Sequence, residues 1–549
     1  MASNSANVHP SLNPVKPSLE EFRMHNASLP ISRLNYDILI DIFMLNTVTD
    51  MKNRHLPSQT TRRSSQVCHL WRSIMLNYPM LWAASVDFED HTPWMKQVVA
   101  RSGSVPFPDI VVPSLSVYFL NHGLPRLRKS IIVREDNVLD VIPDLLYLFG
   151  DNVSEEMVAW VTPYLYQCRR FFIKISKRHW KHILENILQP LPILHTFSIV
   201  IKGSQQTQDS FELPEDLFSN HAPLLRVLDL RGCACHFSSP IFHTLTSLAI
   251  RKPSSPHLPT GRGWLEILGN MKDLRKLILI CAFTPRDDDS ATASMVSLPH
   301  LKTLVLEGDN SSCSEVFTHL DFNFDSLEMI NVQCNKIRLD DHFTSTISCI
   351  HHHLNSSRIT RDGLTVQCTP TGLKFDQKGI CSQTSDRTYL SFSWFGSFSD
   401  RNIMAIFPSF MSVITRSCSE VTLLQLDFVH SAALQDSHIV EILSISPKVE
   451  ELFIMMDYTL HRLLPILSLN PQDNPNHTSL FPLLRTVILE YVRLGEGNFY
   501  NDISTEFVAF VRKRSLMGSQ IKEIVFIKCE VAKIITVELE ELGVHVTNL

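Results

Sequence analysis

Apolar positions in this chain follow two regimes. Between Ile31 and Trp82 they recur at helical spacing, and from Cys168 onward they recur as short triplets. In the first regime Ile38, Leu39, Ile42 and Phe43 share one face of a predicted helix. Asn35 is its expected N-cap, and Asp37 sits in the first turn, where a carboxylate suits the helix dipole. Val67, Leu70, Trp71 and Ile74 follow the i, i+3, i+4, i+7 pattern of a second amphipathic helix. Pro79 predicts its end, because the residue before a proline is pushed out of the helical region. Leu81 and Trp82 then add large apolar side chains just past the stop. A module this short buries little core alone, so an outside partner for its apolar surface is expected.

The second regime reads apolar, two variable, apolar, one variable, apolar. The copies are Cys168-Phe171-Ile173, Leu194-Phe197-Ile199, Leu225-Leu228-Leu230, Leu245-Leu248-Ile250, Leu274-Leu277-Leu279, Leu301-Leu304-Leu306 and Leu327-Ile330-Val332. After a gap come Val421-Leu424-Leu426, Val449-Leu452-Ile454, Leu484-Val487-Leu489 and Ile521-Ile524-Phe526. The last two positions of each copy lie two residues apart and so share one face of a strand. Helical stretches such as Trp264–Leu268 and Ile439–Leu443 fall between copies. This resembles the core of divergent leucine-rich repeats, whose units cannot bury their own apolar faces and must stack. The stretch from about 335 to 420 breaks the pattern, and its alternating segments predict a hairpin-like excursion or degenerate repeats. At the C-terminus, Val531 to Leu542 predicts a helix, Gly543 its C′ residue and Val544 onward a last strand.

The expected fold is therefore α/β. A helical module over 29–86 follows a disordered tail over 1–28. Linking helices and a strand over 87–164, including a helix from Trp94 to Arg101, lead into a curved solenoid with a parallel inner sheet over 165–549. The chain has 549 residues, 44% of them hydrophobic and 19% charged, which is ordinary globular composition. Its net charge of -6 is small for this length and makes no demand for nucleic acid or an anionic membrane. No apolar run approaches the roughly 20 residues of a membrane span, and residues 1–20 lack the apolar core of a secretory signal. The twelve cysteines are scattered rather than paired, which fits reduced thiols in the cytoplasm or nucleus.

The N-terminal residues carry a second resemblance. Leu34-Asn35-Tyr36-Asp37-Ile38-Leu39, followed by Ile42-Phe43, is similar to the opening of the F-box family's pattern. Val67-Cys68 with Trp71-Arg72, and then Pro79-Met80-Leu81-Trp82, are similar to its later elements and come in the same order. The chain departs in having Asn35 where the family usually has proline, and in a long polar connection from Met44 to Thr61. The resemblance implies docking to the adaptor subunit of SCF-type ubiquitin ligases through Leu34, Ile38, Leu39, Ile42, Phe43, Val67, Cys68, Trp71, Pro79, Leu81 and Trp82. An independent observation points the same way. From Met51 to Val86 there is no Asp or Glu, whereas Lys52, Arg54, Arg62, Arg63 and Arg72 are present, so an acidic docking face would be favoured.

Candidate chemistry is thin. His351-His352-His353 has consecutive rather than ligand spacing, and Cys233-x-Cys235 lacks a partner pair. Asp287-Asp288-Asp289 lacks the spacing of a calcium loop, and Gly261-Arg262-Gly263 is followed by no Gly-Lys-Ser/Thr. Lys177-Arg178 with Lys181 is too small a cluster for nucleic acid. The expectation is a non-enzymatic substrate receptor with no cofactor, whose partners are the ligase adaptor and an unknown protein substrate. Its sheet face or the 335–420 excursion would hold that substrate. The rival is an interaction scaffold whose N-terminal helices only cap the repeats.

Overall fold

The structure is a computed structural model and describes residues 18–47, 57–86, 93–112, 155–202, 211–253, 255, 257–284, 294–323, 326–335, 348–350, 360–369, 372–380, 387–395, 411, 420–428, 435–468, 480–495 and 503–549. Contacts divide it into two compact units. The first is Met1–Lys202 with His221–Leu224, and the second is Gly203–Asn220 with Leu225–Leu549. The repeat residues up to Lys202 thus fall in the first unit.

In the first unit, α1 (Leu19–Ser28) occupies part of the expected tail. Ser18 forms a capping box with Glu21: the serine hydroxyl accepts from the Glu21 N–H, and the Glu21 carboxylate accepts from the Ser18 N–H. These local bonds order a helix that buries none of its side chains. Next come α2 (Tyr36–Leu45), α3 (Pro57–Ser64), α4 (His69–Leu76), α5 (Pro79–Ala83), α6 (Pro93–Ser102) and strand β1 (Phe107–Val112). Asn35 is the N-cap residue of α2, but its side chain makes no capping bond. The polar connection expected from Met44 to Thr61 is helical in its described later part, because α3 occupies 57–64.

Two parallel strands follow β1 in order, β2 (Cys168–Ser176) and β3 (Thr196–Lys202). Phe171 pairs with Phe197 and Ile173 with Ile199, so corresponding positions of successive triplets lie side by side. Between them, His179 is fully buried beside Ser176, with Nδ1 to Oγ at 3.3 Å. Burial and the charge of Arg178 hold its pKa below the ordinary 6.5, and only Glu155 opposes them. The unfolded chain therefore binds more protons than the folded one as pH falls through about 6.5, and stability should decline over that interval. Thermal midpoints measured from pH 8 to 5.5 should fall, and His179→Gln should flatten that slope whatever it does to the absolute midpoint.

In the second unit the strands are β4 (Val227–Arg231), β5 (Ser247–Arg251), β6 (Lys276–Ile280), β8 (Thr303–Asp309) and β10 (Met329–Asn335), then β14 (Leu423–Phe428), β15 (Glu451–Met455), β16 (Thr486–Glu490), β18 (Glu523–Ile527) and β20 (His545–Asn548). All of these pair in parallel with the next repeat strand, except that β10 and β14 are separated by a three-strand insert. Register holds the triplets together. Leu228, Leu248, Leu277, Leu304 and Ile330 form one row of partners, and Leu424, Leu452, Val487 and Ile524 form another. All nine are buried. Short pairs β7 (Val296–Ser297) with β9 (Leu320–Asp321), and β17 (Arg493–Leu494) with β19 (Glu530–Val531), repeat the stacking away from the main sheet.

The insert is the pattern break at 335–420. It is a meander of β11 (Thr360–Thr369), β12 (Gly372–Ile380) and β13 (Arg387–Phe395) built into the sheet in the order β10-β13-β12-β11-β14. β12 is antiparallel to both neighbours, so β13 and β11 are each parallel to the repeat strand beside them. An odd number of antiparallel steps is avoided, and the repeat direction is preserved across the insert.

Two local devices recur. The triplet anchor closes a turn: the N–H of Leu194, Leu274, Leu301, Val449 or Leu484 donates to the carbonyl three residues earlier. In four of these turns proline occupies the second position, as Pro192, Pro299, Pro447 and Pro482, where its fixed φ suits the turn. The residue after the strand is left-handed: Gly232, Lys252, Cys281, Met456, Tyr491 and Lys528 all have positive φ. Each donates its N–H to the next strand or, for Lys528, to Leu549 just past it, for example Lys252 to Ile280 O at 2.7 Å and Met456 to Glu490 O at 3.0 Å. For residues other than glycine this conformation costs roughly 1–2 kcal/mol, which the added ladder bond offsets in part. Cys281 is exposed, whereas Cys233 is buried.

The Gly261-Arg262-Gly263 motif opens the helix Gly261–Leu268, capped by Thr260, whose Oγ1 accepts from the Gly263 N–H at 3.2 Å. It packs on the helix Asn310–His319 of a following unit. A β-carbon on Gly261 would lie 2.6 Å from Glu315 Oε2 and 3.1 Å from the Ser312 carbonyl oxygen. Gly261→Ala should therefore destabilise by about 1–3 kcal/mol through overpacking. Denaturant titration checks this, and adding Glu315→Ala should recover part of the loss. The C-terminal cap has the expected form: helix Lys533–Glu541, Gly543 at φ 80, and β20.

Candidate docking module and sheet face

The N-terminal module is built around Trp82. Its ring is fully buried, its Nε1 donates to the Met75 carbonyl at 2.7 Å, and it meets Trp94 edge-on at 5.8 Å. The Arg101 guanidinium lies over the Trp82 ring at 4.6 Å and over Trp94 at 5.4 Å. Leu39, Ile40, Phe43, Ile74, Met75 and Leu81 complete this core together with Met95 and Val98 of α6, and Trp160 packs against it. Phe43 meets Trp71 edge-on at 5.0 Å. α6, past the module's expected end at 86, supplies part of the same core.

The structure divides the sequence-predicted docking residues. Leu39, Phe43, Leu81 and Trp82 are buried and present no surface to a partner. Trp71, Ile42 and Cys68 are partly buried, and Leu34, Ile38, Val67 and Pro79 are exposed. Two local readings change with this. Ile40 rather than Ile38 joins the core, since the helix turns its 39/40/43 stripe inward. Val67 lies outside α4, whose first turn is capped at Cys68: Sγ accepts from the Trp71 N–H at 3.5 Å. Pro79 does follow the end of α4, and it also opens α5 as its first residue.

What remains in solvent is an apolar stripe. Ile38, Ile42 and Leu45 occur at i, i+4 and i+7 of α2, with Ile38 47% and Leu45 71% exposed. Tyr36, Leu70 and Met80 are exposed in the same module. The sequence pattern missed Leu45 and Met80, which no core argument selects. Arg62, Arg63 and Arg72 are exposed as well.

The second surface is the face of the sheet opposite the triplets. Over β4 and β5 it is covered: Asp229, Arg231, Ala249 and Arg251 are all buried, and Arg251 Nη2 lies 3.6 Å from Asp229 Oδ2. Over β15, β16 and β18 it is open to half-exposure, with Phe453, Ile488 and Val525 paired in register. Along its edge Lys528 Nζ donates to Tyr491 OH at 2.6 Å and lies 3.7 Å from Glu490 Oε1. The Tyr491 contact, and then Glu490, raise the Lys528 pKa above the usual lysine value.

No group of three or more His, Cys, Asp or Glu side chains among the described residues is placed to hold a metal ion. His351-His352-His353 and Asp287-Asp288-Asp289 lie outside the described side chains. Among the described residues no helix is long and apolar enough to cross a membrane.

The architecture defines a mixed α/β chain with parallel repeat strands, compatible with a repeat solenoid. No protein-family model and no curated protein matches it. Among solved structures it is similar to a Bacteroides fragilis protein determined by a structural genomics consortium, at 10% identity over 83% of this chain and 84% of that one. The TM-score is 0.20, too low to define a shared fold.

Proposed function

We propose that this chain is a non-enzymatic substrate receptor of an SCF-type ubiquitin ligase. Its N-terminal module docks the adaptor subunit, and its repeats hold a protein substrate for modification by other subunits. The contribution to reaction is proximity. The observation that carries the reading is the division of α2, which sends Leu39, Ile40 and Phe43 inward and leaves Ile38 and Leu45 in solvent. A free-standing helix would have no reason to carry large apolar side chains on both faces. An acidic partner suits the acid-free, arginine-bearing stretch beside it. The scaffold reading also has an observation in its favour: α6 and Trp160 share the module's core, as they would if the helices merely capped the repeats.

Purified adaptor separates the two. Ile38→Glu with Leu45→Glu should reduce adaptor capture at least a hundredfold while leaving the thermal midpoint within about 2 °C, because neither side chain is in the core. Failure of the unaltered chain to capture the adaptor would favour the scaffold.

A further inference from the structure

Burial and chemistry along the sheet together locate where an apolar partner can reach it: the face is half-open over β8 and β10 as well, but β10 presents Asn331 and Gln333 there. Over β4 and β5 the face is closed, whereas Phe453, Ile488 and Val525 stand half-exposed on three adjacent strands. This column is bordered by carboxylates. Glu451 and Glu523 lie at one end of their strands, both in register with Thr486, and Glu490 lies at the other end of β16. Lys528 is the basic group at that edge, and Glu490 and Tyr491 already engage it. An apolar centre with two carboxylates at one end of its strands disfavours an acidic occupant there and favours one that places a cation beside its apolar side chains.

We infer that the open face across β15, β16 and β18 is a docking surface for a protein segment that carries apolar side chains flanked by lysine or arginine. This rests on the receptor reading, and it names the chemistry of the substrate segment. The apolar side chains would cover Phe453, Ile488 and Val525, and the flanking cations would meet Glu451 and Glu523. Three strands at the usual spacing of about 4.8 Å give room for one extended segment or one helix.

The test is a random peptide library displayed on phage and panned against the full chain. Recovered peptides are then synthesised and titrated by fluorescence anisotropy. Enriched sequences should combine Leu, Ile, Phe or Met with Lys or Arg. Glu451→Lys with Glu523→Lys should weaken them at least tenfold, and Phe453→Ser should do so independently. Raising salt should weaken binding to the unaltered chain and have less effect on the charge-reversed one. Circular dichroism confirms that the variants fold, since these positions point away from the buried triplets. Enrichment of acidic or uncharged peptides, equal affinity for the variants, or no enrichment would each overturn the proposal. Adaptor capture is scored separately. Its loss alongside intact peptide selectivity rejects the ligase role and keeps the docking surface, and the reverse outcome rejects the docking surface alone.

Discussion

Replacing Trp82 by alanine should cost the N-terminal unit about 3–5 kcal/mol, the range for truncating a buried tryptophan. The side chain is fully buried, and its loss leaves the Met75 carbonyl without its indole donor. It also removes the aromatic face beneath Arg101 and the edge contact with Trp94. Such a loss is a large part of the stability of an ordinary domain. Denaturant unfolding followed by tryptophan fluorescence should show an early transition in the variant. Limited proteolysis should cut within the N-terminal unit first. A change below 1 kcal/mol would mean that Trp82 is not the centre of this core. The same packing has a practical consequence: deleting residues 29–86 would strip the cover from Met95 and Val98, so truncation confounds adaptor loss with unfolding. The exposed pair Ile38 and Leu45 avoids that difficulty.

Arg514→Ala should be nearly as damaging to the second unit, by about 3 kcal/mol or more. Arg514 lies in the last turn of the helix Ile503–Leu516 and is 5% exposed. Its guanidinium donates to the carbonyls of Leu480 at 2.9 Å and Phe481 at 2.7 Å, and its Nε to that of Ser519 at 3.3 Å. It therefore ties the turn entering β16 to the loop that leads toward β18. Hydrogen bonds to a charged group contribute roughly 1.5–3 kcal/mol each, and Arg514→Ala removes all three while the Phe481 carbonyl keeps only the Leu484 N–H. Arg514→Lys should recover only a fraction, because an ammonium cannot span the fork that the guanidinium fills. Thermal and denaturant unfolding of the three forms should rank them arginine, lysine, alanine. Equal stability of the lysine and arginine forms would show that charge alone, not geometry, holds these turns.

Much of this structure is legible in the residues. The last two positions of each of the eleven triplets fall on a strand, because a period of two with an anchor three residues earlier is satisfied by a turn and a short strand with one buried face. The C-terminal helix, Gly543 and last strand were legible for the same kind of reason, since local signals decide them. The meander at 360–395 was visible only as alternation, and its place in the sheet depends on pairing with strands far away in sequence.

In the module, the sequence by itself determined α2, α4 and the stop before Pro79, because spacing and backbone restriction act within a few residues, whereas α1 and α3 carry no apolar periodicity to announce them. Only the tertiary structure decided which apolar residues face inward. Ile38 and Ile40 are alike to any periodic pattern, and the choice between them is made by Trp82, Met75 and α6 arriving from elsewhere in the chain. The same holds on the sheet. Alternation predicts that Ala249 and Phe453 both lie on the face away from the triplets, yet one is closed over and the other half-open. Burial is a property of what packs above a residue, and no local pattern contains it.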